Sequence, residues 1–220
     1  MSHISVIIPV FNQEKYIGRC LRSILNQSIE RNLFEVIVIN DGSTDSTIKI
    51  LKNFENEVVI INNEKNIGLP ASVNKGIKSA KGSFIVRLDS DDYVNANFLL
   101  FLREFALQNT DYDAVATDYY VVDDNENIIS RENCISNPIA CGILFKIEHL
   151  ISINLYDEAF AAREEEDLRI RFQKKYNINR LALPLYRYRK HETNLTNNKD
   201  KMDYFEIKLK KKFQSVKNNE

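Results

Sequence analysis

Three aspartates within four positions, Asp89, Asp91 and Asp92, close the apolar run SFIVRL at residues 83–88. Like charges at the end of a buried strand cost stability unless something neutralises them. Asp89 and Asp91 stand two apart, so in extended backbone they project to the same side. Paired carboxylates with no lysine or arginine between them make a hard, oxygen-rich site suited to Mg²⁺ or Mn²⁺, most naturally an ion that also holds nucleotide phosphates. The competing explanation is a helix start, in which Asp92 or Asn95 caps a helix beginning near Asn97 and the other acids are solvated. Spacing alone leaves both open.

Three further stretches carry chemistry. Asp41, in NDGSTD (40–45), ends an apolar run, where a carboxylate can accept a hydrogen bond from a nucleobase N–H; Ser43, Thr44 and Asp45 suit a turn and a helix start. Phe11, after Pro9, can stack on a base or fill the core. Glu164, Glu165, Glu166 and Asp167 form an acidic run longer than a helix dipole requires. It is either a solvated first turn paired with Arg169 and Arg171, or the source of a general base for a sugar hydroxyl. His191, one of three histidines, becomes a candidate metal ligand if it lies beside the aspartates.

The elements that must position these residues are legible as a rhythm. ISVIIPV, FEVIVIN, EVVIIN and SFIVRL read as buried strands. Between them lie a helix with Tyr16, Ile17, Cys20, Leu21, Ile24 and Leu25 at helical spacing, a second in STDSTIKILKNF, and a third in GLPASVNKGIKSA with Pro70 in its first turn. Strand and helix in alternation predict an α/β fold with an open, mostly parallel sheet flanked by helices on both faces. The rhythm then loosens into a helix (NANFLLFLREFALQ), strands around a turn (DAVATDYYVVDDNENII), a helix (EEEDLRIRFQKKY), an extended segment (INRLALPLYRYR) and a lysine-rich helix. We therefore expect one domain over residues 1–220, with a regular half at 1–95, a less regular half at 96–199 and a helical tail at 200–220. In such a sheet ligands bind beyond the carboxyl ends of the strands. There PVFN (9–12), NDGSTD (40–45), NEKNIG (63–68) and LDSDD (88–92) converge on one crevice.

Composition narrows the classes. A formal net charge of −1 argues against a general nucleic-acid binder. Cys20, Cys134 and Cys141 are odd in number and lack metal-site spacing, which suggests free thiols in a reducing compartment. The opening residues turn polar too soon for a secretory signal, and no apolar run reaches the length of a membrane span, so a cytoplasmic location is expected.

In this order the stretches SVIIPVFNQEKYIGRCLRSILNQS, EVIVINDGSTDST, NIGLPASVNKGIKSAKGSFIVRLDSDDY, REEEDLRIRF and YRYRKHETNLT resemble glycosyltransferase family 2, inverting enzymes of the GT-A fold. The resemblance spans about residues 4–196 and implies transfer of a sugar from a nucleotide-diphosphate sugar, with a UDP-sugar expected, to a hydroxyl of a saccharide or lipid-linked saccharide. It implies a less regular acceptor-side half, a donor pocket at 1–95, and Mn²⁺ or Mg²⁺ as cofactor. Pro9, Phe11, Glu14 and Asp41 would line the pocket for base and ribose, joined by Asn12, Asn66, Gly68, Asn74 and Ser90. Asp89 would lie near ribose and metal, and Asp91 would be the principal metal ligand with His191 beside it. The family's Glu–Asp pair would fall on Glu166 and Asp167, with Asp167 the general base and Glu166 its fallback. Where many members carry an arginine before Asn74, this chain has Val73, so one phosphate or base contact is expected from elsewhere; Lys65, Lys75 and Arg87 are candidates.

Two other functions compete. A sugar nucleotidyltransferase would open with a glycine-rich basic loop, which PVFNQEKYIG is not. A non-catalytic sugar-nucleotide-binding subunit would not need Asp89, Asp91, Asp167 and His191 together. The tail places Lys208, Lys210, Lys211 and Lys212 in one helix, which is either a peripheral contact with the inner face of an anionic membrane or a solvated helix with cations near its negative end.

Overall fold

The protein is described from a computed structural model that covers residues 3–192 and 194–217. Four short apolar strands, β1 (Ile4–Val10), β2 (Phe34–Asn40), β3 (Val59–Asn62) and β4 (Phe84–Arg87), pair in parallel in the order β3-β2-β1-β4. Between them run α1 (Ile17–Leu25), α2 (Thr47–Leu51) and α3 (Leu69–Ser79). β1 is buried along its whole length, as a central strand covered on both faces must be. Its side chains alternate between two cores. Ile4, Val6, Ile8 and Val10 pack with α1, whereas Ile7 packs with Ile37, Ile39 and the α3 residues Val73 and Ile77. Ser5 interrupts the run, and its hydroxyl donates to Glu35 Oε1 at 2.6 Å and accepts the Gly82 N–H at 2.9 Å.

The remainder is β5 (Tyr93–Val94), α4 (Phe98–Gln108), β6 (Ala114–Val122), β7 (Ile128–Glu132), β8 (Ile143–Lys146), α5 (Ile147–Ser152), α6 (Glu164–Gln173), β9 (Ile178–Arg189) and α7 (Lys199–Lys217). These strands extend the same sheet to nine, in the order β4-β8-β6-β9-β5, with β7 paired to the later part of β6, Tyr119–Val122. β8 lies antiparallel to both β4 and β6, β9 runs parallel to β6, and β5 and β7 are antiparallel to their neighbours. The first half is therefore parallel, as the strand–helix rhythm requires, and the second half is mixed. α2 is shorter than expected and ends in a 3₁₀ turn over Lys52–Phe54.

The helix-cap explanation of Asp92 is corrected here. α4 begins after Asn97 without a side-chain cap, and Asp92 is turned into the interior at 1% exposure. The three cysteines are free and buried. No helix among the described residues is long and apolar enough to cross a membrane. In α7, Lys212 pairs with Asp157 and Asp167, Lys210 with Glu206, and Lys208 donates to the Ala159 carbonyl. These tail lysines thus work within the chain. Residues 218–220 of the expected tail lie outside the described residues.

Candidate functional site

The carboxyl ends of β1, β2 and β4 and the N-terminal end of α3 enclose a cavity of about 510 Å³. Pro9, Phe11, Asp41, Asn66, Gly68, Asp89, Ser90 and Asp91 line it, so most of the expected donor residues do converge. Phe11 stands 43% exposed at its lip. Asp41 is nearly buried, and its Oδ1 accepts the Ile67 N–H at 2.8 Å and the Asn63 Nδ2–H at 2.9 Å. Its Oδ2 accepts only the Gly68 N–H, at 2.9 Å, among the described residues. A carboxylate oxygen has room for two donors, so Oδ2 keeps one position for a ligand N–H. Gly42 makes this approach feasible. Its φ is +73°, and a Cβ there would lie 2.6 Å from the Lys65 carbonyl carbon and 2.7 Å from the Asn66 nitrogen.

The three aspartates have separate surroundings. Arg87, buried at 5% exposure, donates through Nε and Nη2 to the two Asp89 oxygens at 2.6 and 3.1 Å, and through Nη1 to Glu164 Oε1 at 2.9 Å. Asp91 faces the cavity with Oδ2 2.9 Å from His191 Nε2, while the Tyr16 ring packs against His191 at a tilt, with centroids 4.8 Å apart. Asp92 accepts from the Tyr186 hydroxyl at 2.6 Å and from the Arg189 N–H at 2.7 Å, which ties β9 to the end of β4. Burial, with the charges of Asp91 and Asp89, pushes the Asp92 carboxyl well above the usual range. Asp89, Asp92 and Cys141 also bring three potential ligand atoms within 4.8 Å of one another, an acidic group of the kind that can hold a metal.

A second recess of about 200 Å³ opens off the same crevice, sharing Leu69, Arg87, Asp89 and Asp91 with it. Its far wall is the 138–141 segment and the start of α6, with Glu164 and Glu165. Glu164 is committed to Arg87, whereas Glu165 forms no ion pair with any described residue. Burial, reinforced by the charge of Glu164, pushes the Glu165 carboxyl up to about 7. Arg163, immediately before α6, has left-handed backbone (φ 57°), held by its bonds to Glu166 and to Glu206 and the Met202 carbonyl of α7. Strained backbone held by surrounding contacts is typical of positions that aim a functional group.

Five expected site residues lie elsewhere. Asp167, in the first turn of α6, is fully buried between Arg171 at 2.8 Å and Lys212 at 2.5 Å, and does not line the crevice. Glu166 is held at 2.6 Å by Arg163. Asn74 faces away, bonded to Tyr156 and Glu158. Asn12, left-handed at φ 50°, accepts the Thr44 N–H at 2.8 Å, and Glu14 accepts the Ser46 N–H at 2.8 Å, so both join loops instead of facing the cavity. Sequence reasoning kept Glu165 within the acidic run without singling it out, although a signal existed. Leu168 and Phe172 mark the buried stripe of α6. Asp167 and Arg171, four apart, pair with each other on a neighbouring stripe.

The sequence model of glycosyl transferase family 2 matches residues 5–157, more than half of the chain. A poly(ribitol-phosphate) beta-glucosyltransferase of Bacillus spizizenii is 42% identical over 110 residues, which cover 48% of this chain and 17% of that protein. The structure of S. aureus TarS 1–349 with UDP-GlcNAc matches with a TM-score of 0.78 and 24% identity, over 89% of this chain and 61% of that one. A mannosyltransferase, PcManGT from Pyrobaculum calidifontis, with GDP-Man and Mn²⁺, matches with a TM-score of 0.71 and 16% identity, over 87% of this chain and 58% of that one. The structural likenesses show a GT-A fold. The chain spans about three fifths of these solved chains and a smaller share of the curated relative.

Proposed function

The chain belongs to glycosyl transferase family 2, and from that premise we propose that it transfers a sugar from a nucleotide-diphosphate donor to a hydroxyl of a saccharide or lipid-linked saccharide, with inversion. A UDP-sugar is the first donor to test, because TarS, alike in fold, was solved with UDP-GlcNAc. In this reading Phe11 stacks on the base, the open position on Asp41 Oδ2 accepts a base N–H, and Asp89 and Ser90 face the ribose. Asp91 and His191 offer a carboxylate oxygen and an imidazole nitrogen 2.9 Å apart, a donor set that fits Mn²⁺ or Mg²⁺. When bound, such a cation would neutralise charge developing on the leaving diphosphate. Asp89, held by Arg87, then serves the donor more than the metal.

One observation carries the reading: a carboxylate without an ion-pair partner among the described residues lines the same crevice as Asp89 and Asp91, where burial pushes it up to about 7. A general base works best with a pKa near the working pH. We therefore assign the base to Glu165 in place of Asp167. Glu165 takes the proton of the acceptor hydroxyl as its oxygen bonds to the anomeric carbon, and the bond to the diphosphate breaks on the opposite face. Arg87 and Glu164 hold the first turn of α6 at the correct distance from Asp89.

The test is sugar transfer with Mn²⁺ over a panel of nucleotide sugars, comparing E165Q with D167N. E165Q is expected to bind donor normally and to lose about 10²-fold or more in turnover. D167N is expected to unfold at lower temperature, by roughly 3 kcal/mol of stability, while the folded fraction turns over normally. Wild-type turnover in E165Q would overturn the assignment.

A further inference from the structure

The donor proposed above carries at least two negative charges on its diphosphate, and the crevice that would receive it is lined by Asp41, Asp89 and Asp91. A cation facing that diphosphate besides the metal would offset the acids of the crevice, and the expected sources are spent. Val73, where an arginine was looked for, is 1% exposed in the core against Ile7 and Ile39. Lys75 donates to Asn63 Oδ1 at 2.6 Å, and Lys65 is not part of the cavity lining. Arg87 has its guanidinium nitrogens committed to Asp89 and Glu164. Arg189 donates to the Asp91 carbonyl and pairs with Glu126.

One cationic side chain on the cavity wall has no such commitment. Lys201, in the first turn of α7, lines the cavity, and its ammonium has no hydrogen-bond or ion-pair partner among the described residues. The helix beneath it is well anchored. Phe205 and Leu209 pack on Phe160 and Ala162, while Ala161 between them faces the cavity beside Lys201. The next residue, Met202, accepts the Arg163 Nε–H at 3.1 Å, and Glu206 pairs with Arg163 at 2.9 Å. The same arginine that opens α6 therefore fixes the turn from which Lys201 projects.

We propose that Lys201 is the cation that binds the donor diphosphate, so that α7 is a working wall of the donor site and not only a packing element. This inference rests on the reading of the crevice as a nucleotide-sugar site. A lysine reaching a phosphate oxygen forms a charge-assisted bond, which differs from a stacking or base contact in requiring the phosphates. The test is calorimetry with Mn²⁺ on the full chain, using UDP, GDP, CDP and dTDP, and then the parent nucleoside of whichever binds. K201Q is expected to weaken the nucleoside diphosphate roughly tenfold, to leave the nucleoside unchanged and to flatten the salt dependence of binding. K201R is expected to retain most of the affinity, and both variants should unfold at the wild-type temperature. Equal diphosphate affinity in K201Q and wild type would overturn the proposal, as would an equal loss for nucleoside and diphosphate. If the wild-type chain bound no nucleoside diphosphate at all, the functional reading would fall first and this inference with it.

Discussion

At the scale of single residues, the crevice is decided by which acids already have partners. Asp92 is occupied by Tyr186 and Arg189, Asp89 and Glu164 by Arg87, and Asp167 by Arg171 and Lys212. Glu165 is left with a carboxyl raised to about 7, through burial first and the charge of Glu164 second. A base must be ionised to act, and a raised pKa keeps it protonated at lower pH. Turnover should therefore fall as pH drops through about 7, a pH–rate profile that E165Q should flatten. A pH–rate profile flat between 5 and 8 (roughly the range in which a carboxyl near 7 changes charge) would remove Glu165 from the role. Legibility at this scale was uneven. Asp89, Asp91 and His191 could be read because their types suit a metal, yet the acidic run could not be resolved by type, since four like residues differ only in helical phase. Arg87, read in the sequence only as a candidate phosphate contact, was the other sign: a guanidinium inside a run of apolar residues needs acids to pair with, and it has Asp89 and Glu164.

At the scale of elements, the loops matter more than the strands. The turn after β2 brings Gly42 against the 65–66 backbone, which delivers the Ile67 and Gly68 N–H groups to Asp41. G42A should lose about 2 kcal/mol or more, from left-handed backbone in a residue with a Cβ plus the clash with backbone atoms. Because the displaced loop carries the partners of Asp41, donor KM should rise as well. Denaturant unfolding and donor titration of the same variant check both, and a G42A protein of wild-type stability would contradict the close approach. The strands themselves were readable in advance, since each is a short continuous apolar run between turn residues. The crossing of α7 over α6 was not, because it depends on pairs such as Arg163–Glu206 and Lys212–Asp167, set 43 and 45 residues apart. No local pattern announces contacts of that range.

At the scale of the whole molecule, one sheet carries both halves of the site. The parallel half presents the crevice at its strand ends, and the mixed half contributes α6 and β9 to its far wall. A ligand that bridges the two halves should stabilise the folded chain by mass action. At a hundred times its Kd the gain is about 2.7 kcal/mol, or roughly 5–10 °C in Tm for a chain of this size. The matching nucleoside diphosphate with Mn²⁺ should give that shift, and D91N should abolish the part that depends on the metal. An identical shift in D91N would place the ion elsewhere.

The separation of Asp91 from His191, 100 positions along the chain, has a consequence in time. During synthesis the first four strands leave the ribosome long before β9 and the histidine that follows it. Contacts of such long range close late, after the local ones are in place. In a growing chain Asp91 therefore gains its imidazole partner only when β9 docks. Any binding that needs Asp91 and His191 together is open only to a chain whose β9 has docked.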